Sequence, residues 1–422
     1  MKTTPYASAA AVLGVLGMMA GCKDQPAPGS QPPSQQPPQT STVTNASVEN
    51  GLRDNAREHG PKLATWMPAG TLETVALFDV AMPAGVTVSH AGRIFVNFPR
   101  WGDDVQFTVA EVRNGNPVAF PDEAINRVPT GKLETGFVSV QSVVVDPSDR
   151  LWVLDTGSIK MAKSELGGPK LVGIDLQKNA VFKTIVFPRD VALATSYPND
   201  VRFDLKRGKG GMAFITDSAA EGSNGIIVVD LDSGKSWRKL VDHPSTKGEK
   251  GFLPIVEGRP VMSREPGKPP KNIGMGSDGI AISGDGKLLY YCPLASRRLY
   301  SVSTDALANE KLPDAEVAKT VKDLGEKSAS DGLESDAEGR VYVTSYEGNS
   351  ILRRKTDGMY ETLVSDTRAL WPDTLSLAND GFLYFTANQL HRQPQYNDGK
   401  DLRQKPYVLF RVKVDGTPVS LK

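Results

Sequence analysis

Residues 141–157 read QSVVVDPSDRLWVLDTG. Two apolar runs flank Asp146-Pro147-Ser148-Asp149, a cluster of turn-forming residues. The pattern predicts two short antiparallel strands joined by a tight turn. The phrase recurs: AGVTVSHAGRIFVNF (84–98), NDVRFDLKRGKGGMAFITDS (199–218), DGIAISGDGKLLYYCPL (278–294), DGLESDAEGRVYVTSY (331–346) and DTLSLANDGFLYFTAN (373–388). The six copies start at 84, 141, 199, 278, 331 and 373, with gaps of 57, 58, 79, 53 and 42 residues. A hairpin plus two more strands needs about 40–50 residues, the size of a propeller blade. Outer strands follow the hairpins in LVGIDLQKNAVFKTIVF (171–187), GIIVVDLDSGKSWRKLV (225–241), RRLYSVS (297–303), SILRRK (350–355) and VLFRVKVDG (408–416). The sequence is therefore read as an all-β, six-bladed β-propeller of four-stranded antiparallel blades over residues 70–422. Two separate sandwiches would not repeat one hairpin phrase six times. An open ring would leave hazardous strand edges. TLETVALFDV (71–80) is thus expected to close the ring by pairing near the C-terminus.

Composition narrows the function. The 422 residues carry 49 Lys+Arg and 49 Asp+Glu. This balance argues against nucleic acid as a partner and against charge-driven binding to anionic membranes. A small-molecule ligand and a monomeric state are expected. The first 22 residues read as a leader: Lys2, then the apolar SAAAVLGVLGMMAG, too short to span a bilayer, which takes about 20 residues. The leader ends in Met19-Ala20-Gly21-Cys22, like the lipidation signal of a bacterial lipoprotein. Cys22 is the expected lipidated N-terminus, and Lys23 after it resembles the outer-membrane sorting pattern. DQPAPGSQPPSQQPPQTS (24–41) has no aromatic or branched aliphatic residue and cannot build a core. Residues 23–69 read as a tether and N-terminal extension, with a short helix or more tether over 42–65. The lipid anchor is the only expected membrane contact.

Several local signals have to be weighed against the repeat. Asp155-Thr156-Gly157 looks like half of a pepsin-like protease site, but that chemistry needs two carboxylates sharing a proton, and no second Asp-Thr-Gly occurs. In register with the other copies, Asp155 is a strand-end residue expected to accept backbone N–H bonds, and Trp152 a packed residue. Cys292 lies alone in an apolar strand and reads as packing. The four His show no metal-ligand spacing and read as surface or turn residues. Ser139, Ser142 and Ser158 have no nearby His partner, so a Ser-His-Asp triad is not indicated. GSDGIAISGDG (276–286) lacks the Gly-Lys-Ser/Thr of a phosphate loop and reads as a turn. The basic, Pro-rich stretch 247–269 reads as a solvated loop rather than a lid.

The residues opening the copies are Ala84, Gln141, Asn199, Asp278, Asp331 and Asp373. Equivalent positions of a propeller's innermost strands converge at one channel end. Three carboxylates and two amides would then face one another. Buried like charges either raise their pKa values or enclose a cation. Oxygen-only ligands suit Ca²⁺, Mg²⁺ or Mn²⁺ rather than Zn²⁺, and no organic cofactor is indicated. Arg100, Trp101, Trp371 and Asn388 lie beside strand ends as wall candidates. Gln141, Asn199, Arg100 and Asn388 are the candidate ligand-binding residues.

VQSVVVDPSDRLWVLDTG, GIIVVDLDSGKSWRKL, SDGIAISGDGKLLYYCPLASRRLYSVST, LWPDTLSLANDGFLYFTANQLHR and VNFPRW (96–101) together resemble the Yellow/major royal jelly protein family across roughly 75–395. That resemblance implies a six-bladed propeller and, as for several Yellow-family members, binding of small amines. YPNDVRFD, SDGIAISGDGKLLYY and SDGLESDAEGRVYVTSYEGNSILR more distantly resemble gluconolactonase-like propellers of the senescence-marker type. This second resemblance implies a divalent metal at Asn199, Asp278 and Asp331, and lactone hydrolysis. Asp331 then matches the catalytic base, and Asp373 is its candidate by symmetry. The family's first-blade Glu ligand is here Ala84. The expectation is a small-ligand propeller that hydrolyses a sugar lactone, with a non-catalytic binding or protein-contact scaffold as the alternative.

Overall fold

A computed structural model describes residues 69–422. The leader 1–22 with Cys22, the tether sequence and the segment 42–65 lie outside the described residues. The first strand, β1 (Leu72–Phe78), belongs to the last blade. Blade 1 holds β2 (Val86–Val88), β3 (Ile94–Asn97), β4 (Val109–Arg113) and β5 (Asn116–Ala119). Blade 2 holds β6 (Val140–Val145), β7 (Arg150–Thr156), β8 (Pro169–Asp175) and β9 (Ala180–Val186). Blade 3 holds β10 (Pro198–Asp204), β11 (Met212–Asp217), β12 (Gly225–Asp230) and β13 (Ser236–Lys239). Two small hairpins follow, β14 (Ile255–Val256) with β15 (Arg259–Pro260) and β16 (Met262–Ser263) with β17 (Lys271–Asn272). Blade 4 holds β18 (Ser277–Ile282), β19 (Leu288–Pro293), β20 (Arg298–Ser303) and β21 (Lys322–Glu326). Blade 5 holds β22 (Leu333–Ser335), β23 (Val341–Ser345), β24 (Ser350–Arg354) and β25 (Tyr360–Ser365). Blade 6 holds β26 (Pro372–Leu377), β27 (Phe382–Ala387), β28 (Tyr407–Lys413) and β1.

The fold is thus the expected six-bladed, four-stranded, antiparallel propeller. The N-terminal strand closes it, with Leu72 opposite Val412 and Phe78 opposite Tyr407. One feature departs from expectation. Two short helices, α1 (Thr304–Ala308) and α2 (Asp314–Ala318), sit between β20 and β21. At five residues each they are too short to show a helical period.

The repeat encodes its own turns. Asp146 Oδ2 accepts from Arg150 Nε at 2.7 Å and Trp152 Nε1 at 2.8 Å. Asp336 Oδ2 accepts from Arg340 Nε at 2.6 Å and from the Tyr342 hydroxyl at 2.8 Å. The spacing Asp, Arg four later, aromatic six later therefore fixes a turn and the strand leaving it. Trp152 also stacks on Phe203 of the next blade (5.5 Å, 27°). It packs in the apolar seam between blades 2 and 3 with Leu154, Val201 and Ile215. Asp155 is fully buried and accepts the backbone N–H groups of Val138, Ser139 and Gly157 at 2.7–2.9 Å. Lys170 Nζ adds a fourth donor at 2.8 Å. Every acceptor direction of Asp155 is occupied, as a strand-end role requires.

Candidate site at the channel mouth

Side chains reach the channel because the inner strands are irregular where they begin. The pairing of β6, β10, β18 and β26 with their neighbours shifts register between Val140 and Ser142, Pro198 and Val201, Ser277 and Ile280, and Pro372 and Leu375. The residues inside those bulges include Gln141, Asn199, Asp278 and Asp373. A bulge leaves its extra residue unpaired and re-aims its side chain. Asp331 precedes β22 and is held differently: its N–H and that of Gly332 both donate to Thr344 Oγ1 at 3.0 Å. Related threonines bond to entrance residues of the next blade, Thr216 to the Asp278 carbonyl (2.6 Å) and Thr386 to the Ala84 carbonyl.

The inner strands crowd the axis, and glycine makes room. A Cβ on Gly279 would stand 2.4 Å from the Asp331 carbonyl oxygen, and one on Gly332 would stand 2.3 Å from that of Asp373. Each Asp-Gly pair thus supplies one carboxyl and the gap into which the next blade's backbone fits.

A cavity of about 700 Å³ opens here, and Gln141, Asn199, Asp278, Asp331 and Asp373 line it. Trp101, Tyr197, Met275, Leu294, Leu390 and Tyr396 add an apolar and aromatic wall. Lys160, Lys163, Glu221, Glu265 and Lys271 also contribute to the lining. Trp101 Nε1 donates to the Tyr197 hydroxyl at 2.6 Å, which donates to Gln141 Oε1 at 3.0 Å. Asn199 Nδ2 donates to Ser218 Oγ at 3.1 Å.

The electrostatics of the floor are unbalanced. Asp278, Asp331 and Asp373 are 5%, 7% and 3% exposed, and none of them forms an ion pair among the described residues. Burial, then the Asp331 and Asp373 charges, push the Asp278 carboxyl well above the usual carboxylate range. Burial and then Asp331 do the same to Asp373. Asp331 also rises, chiefly by burial, against the lowering effect of its hydrogen bond from Trp371. That bond, Nε1 to Oδ2, is 2.8 Å. The Asp331 charge acts on both other carboxyls. Asp373 accepts from Asn388 Nδ2 at 2.6 Å and Thr374 Oγ1 at 3.1 Å. Such a cluster needs shared protons or an added cation.

Other candidates lie elsewhere. The Arg100 guanidinium is spent on the carbonyls of Val138 (3.1 Å), Asn126 (2.8 Å) and Val105, and Arg100 is not among the lining residues. Asn388 and Trp371 stand behind Asp373 and Asp331 as hydrogen-bond donors. Ala84 is buried and offers no side-chain ligand at the first-blade position.

For a divalent cation the chemistry of the donor set fits: all-oxygen, anionic and uncompensated, with Asn199, Asp278 and Asp331 as the residues that would hold it. The spacing is not that of a ready-made site, since among the described residues no three His, Cys, Asp or Glu side chains are arranged to hold a metal ion.

Two features escaped sequence reading. The stretch 247–269 is not merely solvated: Phe252, Val256 and Val261 are buried in the core, and Ser263 and Glu265 line the cavity. These apolar residues are too sparse to show a period. His391 is no surface residue either; it is 8% exposed and stacks on Trp371.

Comparison with known proteins bears on this arrangement. The sequence profile of the family described as major royal jelly protein matches residues 138–415. Major royal jelly protein 1 of Apis mellifera is 28% identical over 178 residues, 40% of this chain and 38% of that protein. Protein yellow of Drosophila erecta is 27% identical over 252 residues, 54% of this chain and 42% of that protein. The matched regions thus span about two fifths of these relatives' own lengths. Among solved structures, a calcium-binding protein, regucalcin, from Agrobacterium tumefaciens superposes with a TM-score of 0.52 at 16% identity. The superposition covers 85% of this chain and 99% of that one, and it supports the fold.

Proposed function

The chain belongs to the major royal jelly protein family, and from that premise we propose that it binds a small polar ligand in the cavity at the mouth of its propeller channel. The observation carrying this reading is the trio of buried, unpaired carboxyls on the cavity floor. Burying charge without compensation is costly, so a ligand that brings positive charge or hydrogen-bond donors gains by relieving it. A small amine or a hard divalent cation meets that demand. Trp101, Tyr197 and Tyr396 supply the apolar and aromatic surface that a small organic ligand needs.

A second reading, hydrolysis of a sugar lactone, is favoured by Asn199, Asp278 and Asp331 lining one cavity together. A bound divalent cation would supply Lewis-acid polarisation of the lactone carbonyl. The chain's own part is to hold a carboxylate, Asp331 or Asp373, where it can take a proton from water. The regucalcin neighbour is a calcium-binding protein, a property in keeping with the cation.

This reading also places the propeller in a bacterial cell envelope, anchored at Cys22 to the outer membrane by the Pro/Gln/Ser-rich tether. Met19-Ala20-Gly21-Cys22 and the spacer support it. Mass spectrometry of the mature N-terminus should find diacylglycerol on Cys22; an unmodified Cys22 would refute the anchor.

The deciding experiment strips divalent ions from the protein and follows melting and lactone hydrolysis as Ca²⁺, Mg²⁺ or Mn²⁺ is restored. A rise in Tm that Asp331→Ala removes supports the cation site, and turnover lost in the same variant supports hydrolysis. No response in either, with Asp331→Ala indistinguishable from wild type, sinks the metal-assisted reading.

A further inference from the structure

Trp371 sits immediately before β26 with φ at +54°, a left-handed conformation that a bulky residue rarely adopts. It is fully buried, between Tyr346 (centroids 4.1 Å, 7°) and His391 (5.7 Å, 18°). Clamped between two rings, its indole has one polar atom, and that atom donates to Asp331. His391 continues the line outward: its Nε2 lies 2.7 Å from Glu257 Oε2. Arg392 Nη2 takes the other Glu257 oxygen at 2.6 Å. Glu257 occupies the turn between β14 and β15, in the insertion whose next hairpin lines the cavity through Ser263.

Glu257 (φ +51°) and Gln389 (φ +60°) are left-handed as well. Gln389 N–H donates to the Leu370 carbonyl at 3.1 Å, and Asn388 N–H to that of Trp371 at 3.3 Å. Glu257 takes its positive φ as the first central residue of a two-residue hairpin turn with Gly258, whereas Trp371 and Gln389 are left-handed non-glycine residues on two hydrogen-bonded segments next to Asp331. Strain of this kind persists only where the surroundings over-determine it, and it gathers at working sites. The insertion is pinned again where Arg264 N–H donates to the Gln395 carbonyl at 2.7 Å.

We propose that Trp371 is a positioning residue for Asp331, and that the Glu257 clamp on His391 and Arg392 holds Trp371 in place, making the insertion and the floor carboxyl one mechanical unit. A ligand that touches Ser263 or Glu265 at the wall would thereby bias the geometry of Asp331. This consequence rests on the reading of Asp331 as a working carboxyl; the coupling itself does not.

Amide hydrogen exchange of the full chain separates the two. In Glu257→Gln, faster exchange is expected at 255–263 and also at 369–374. Trp371→Phe keeps the stack but loses the N–H, and is expected to speed exchange around 331. Loosening in Glu257→Gln that stays confined to the insertion would overturn the coupling. Mn²⁺ alone serves as the second probe, titrated calorimetrically. Trp371→Phe is expected to stay folded at a reduced Tm, since it shortens a fully buried side chain, and to bind Mn²⁺ about tenfold more weakly, the effect of losing one hydrogen bond to a charged group. Equal affinity in Trp371→Phe and wild type would reduce Trp371 to a packing residue and refute its positioning role. If wild type binds no Mn²⁺, the cation reading fails, and the exchange data alone decide the coupling.

Discussion

Two sets of buried aspartates sit at opposite ends of the repeated hairpin phrase, ends that stand 14 to 18 residues apart in blades 2 and 3, and live in opposite environments. At the strand exits of blades 2 and 3, Asp155 meets Lys170 at 2.8 Å and Asp217 meets Arg238 at 2.7 Å, with both carboxylates fully buried. Each also accepts backbone N–H bonds, Asp217 from Tyr197 at 2.8 Å. At the strand entrances, Asp278, Asp331 and Asp373 are nearly as buried but form no ion pair among the described residues, and their strongest charged neighbours are carboxyls, one another and Asp200. Burial alone does not mark a working carboxylate. The mark is burial without compensation, because evolution has no structural reason to leave that cost standing.

The sharpest way to break the contrast is to strip an exit aspartate of its partner. Lys170→Ala would leave Asp155 buried and unpaired, and should cost about 3–5 kcal/mol in denaturant unfolding. A loss below ~1 kcal/mol would mean that Asp155 is compensated by its amide donors alone. The entrance ring should answer in the other direction. Asp278→Asn removes one of three repelling charges and should raise the stability of the metal-free protein at neutral pH by ~1 kcal/mol, the scale of one pKa unit, while weakening any cation-induced rise in Tm.

The pH dependence follows from the same shifts. The entrance carboxyls titrate above their unfolded values. Their neutral forms favour the fold, so their stabilising effect is complete below the ordinary carboxylate range and is lost as pH rises through the raised values. In chelator, the gap between Asp278→Asn and wild type should therefore vanish in acid and open toward neutrality. A gap that is constant with pH would show that repulsion is not its cause. The smallest effect belongs to the rim, where Lys271 and Glu221 pair at 2.7 Å with both side chains more than two-thirds exposed. Lys271→Ala should leave the melting temperature unchanged, since solvent screens such pairs. A clear drop would mean that the insertion depends on this contact.

The propeller was legible because its signal is repeated. Six copies of one hairpin phrase average out the ambiguity of any single strand, and the phase of the repeat put Gln141, Asn199, Asp278, Asp331 and Asp373 at one end of the channel. The structure brings those five together around one cavity. Arg100 lies beside a strand end, where a wall residue is expected. Position along a strand does not reveal that three carbonyls consume its donors. His391 and the insertion were misread for a related reason. Their burial arises from contacts between segments more than a hundred residues apart, such as Glu257 with His391, and no local period records them.

The sequence by itself determined the architecture and the identity of the mouth residues, since local alternation, turn chemistry and a fixed repeat phase suffice to place equivalent positions around an axis. Only the tertiary structure decided which carboxyls are paired and which are not. Compensation depends on what long-range packing brings within about 3 Å, and that is settled by cross-strand neighbours such as Lys170 and Arg238 rather than by the residues beside each aspartate in the chain.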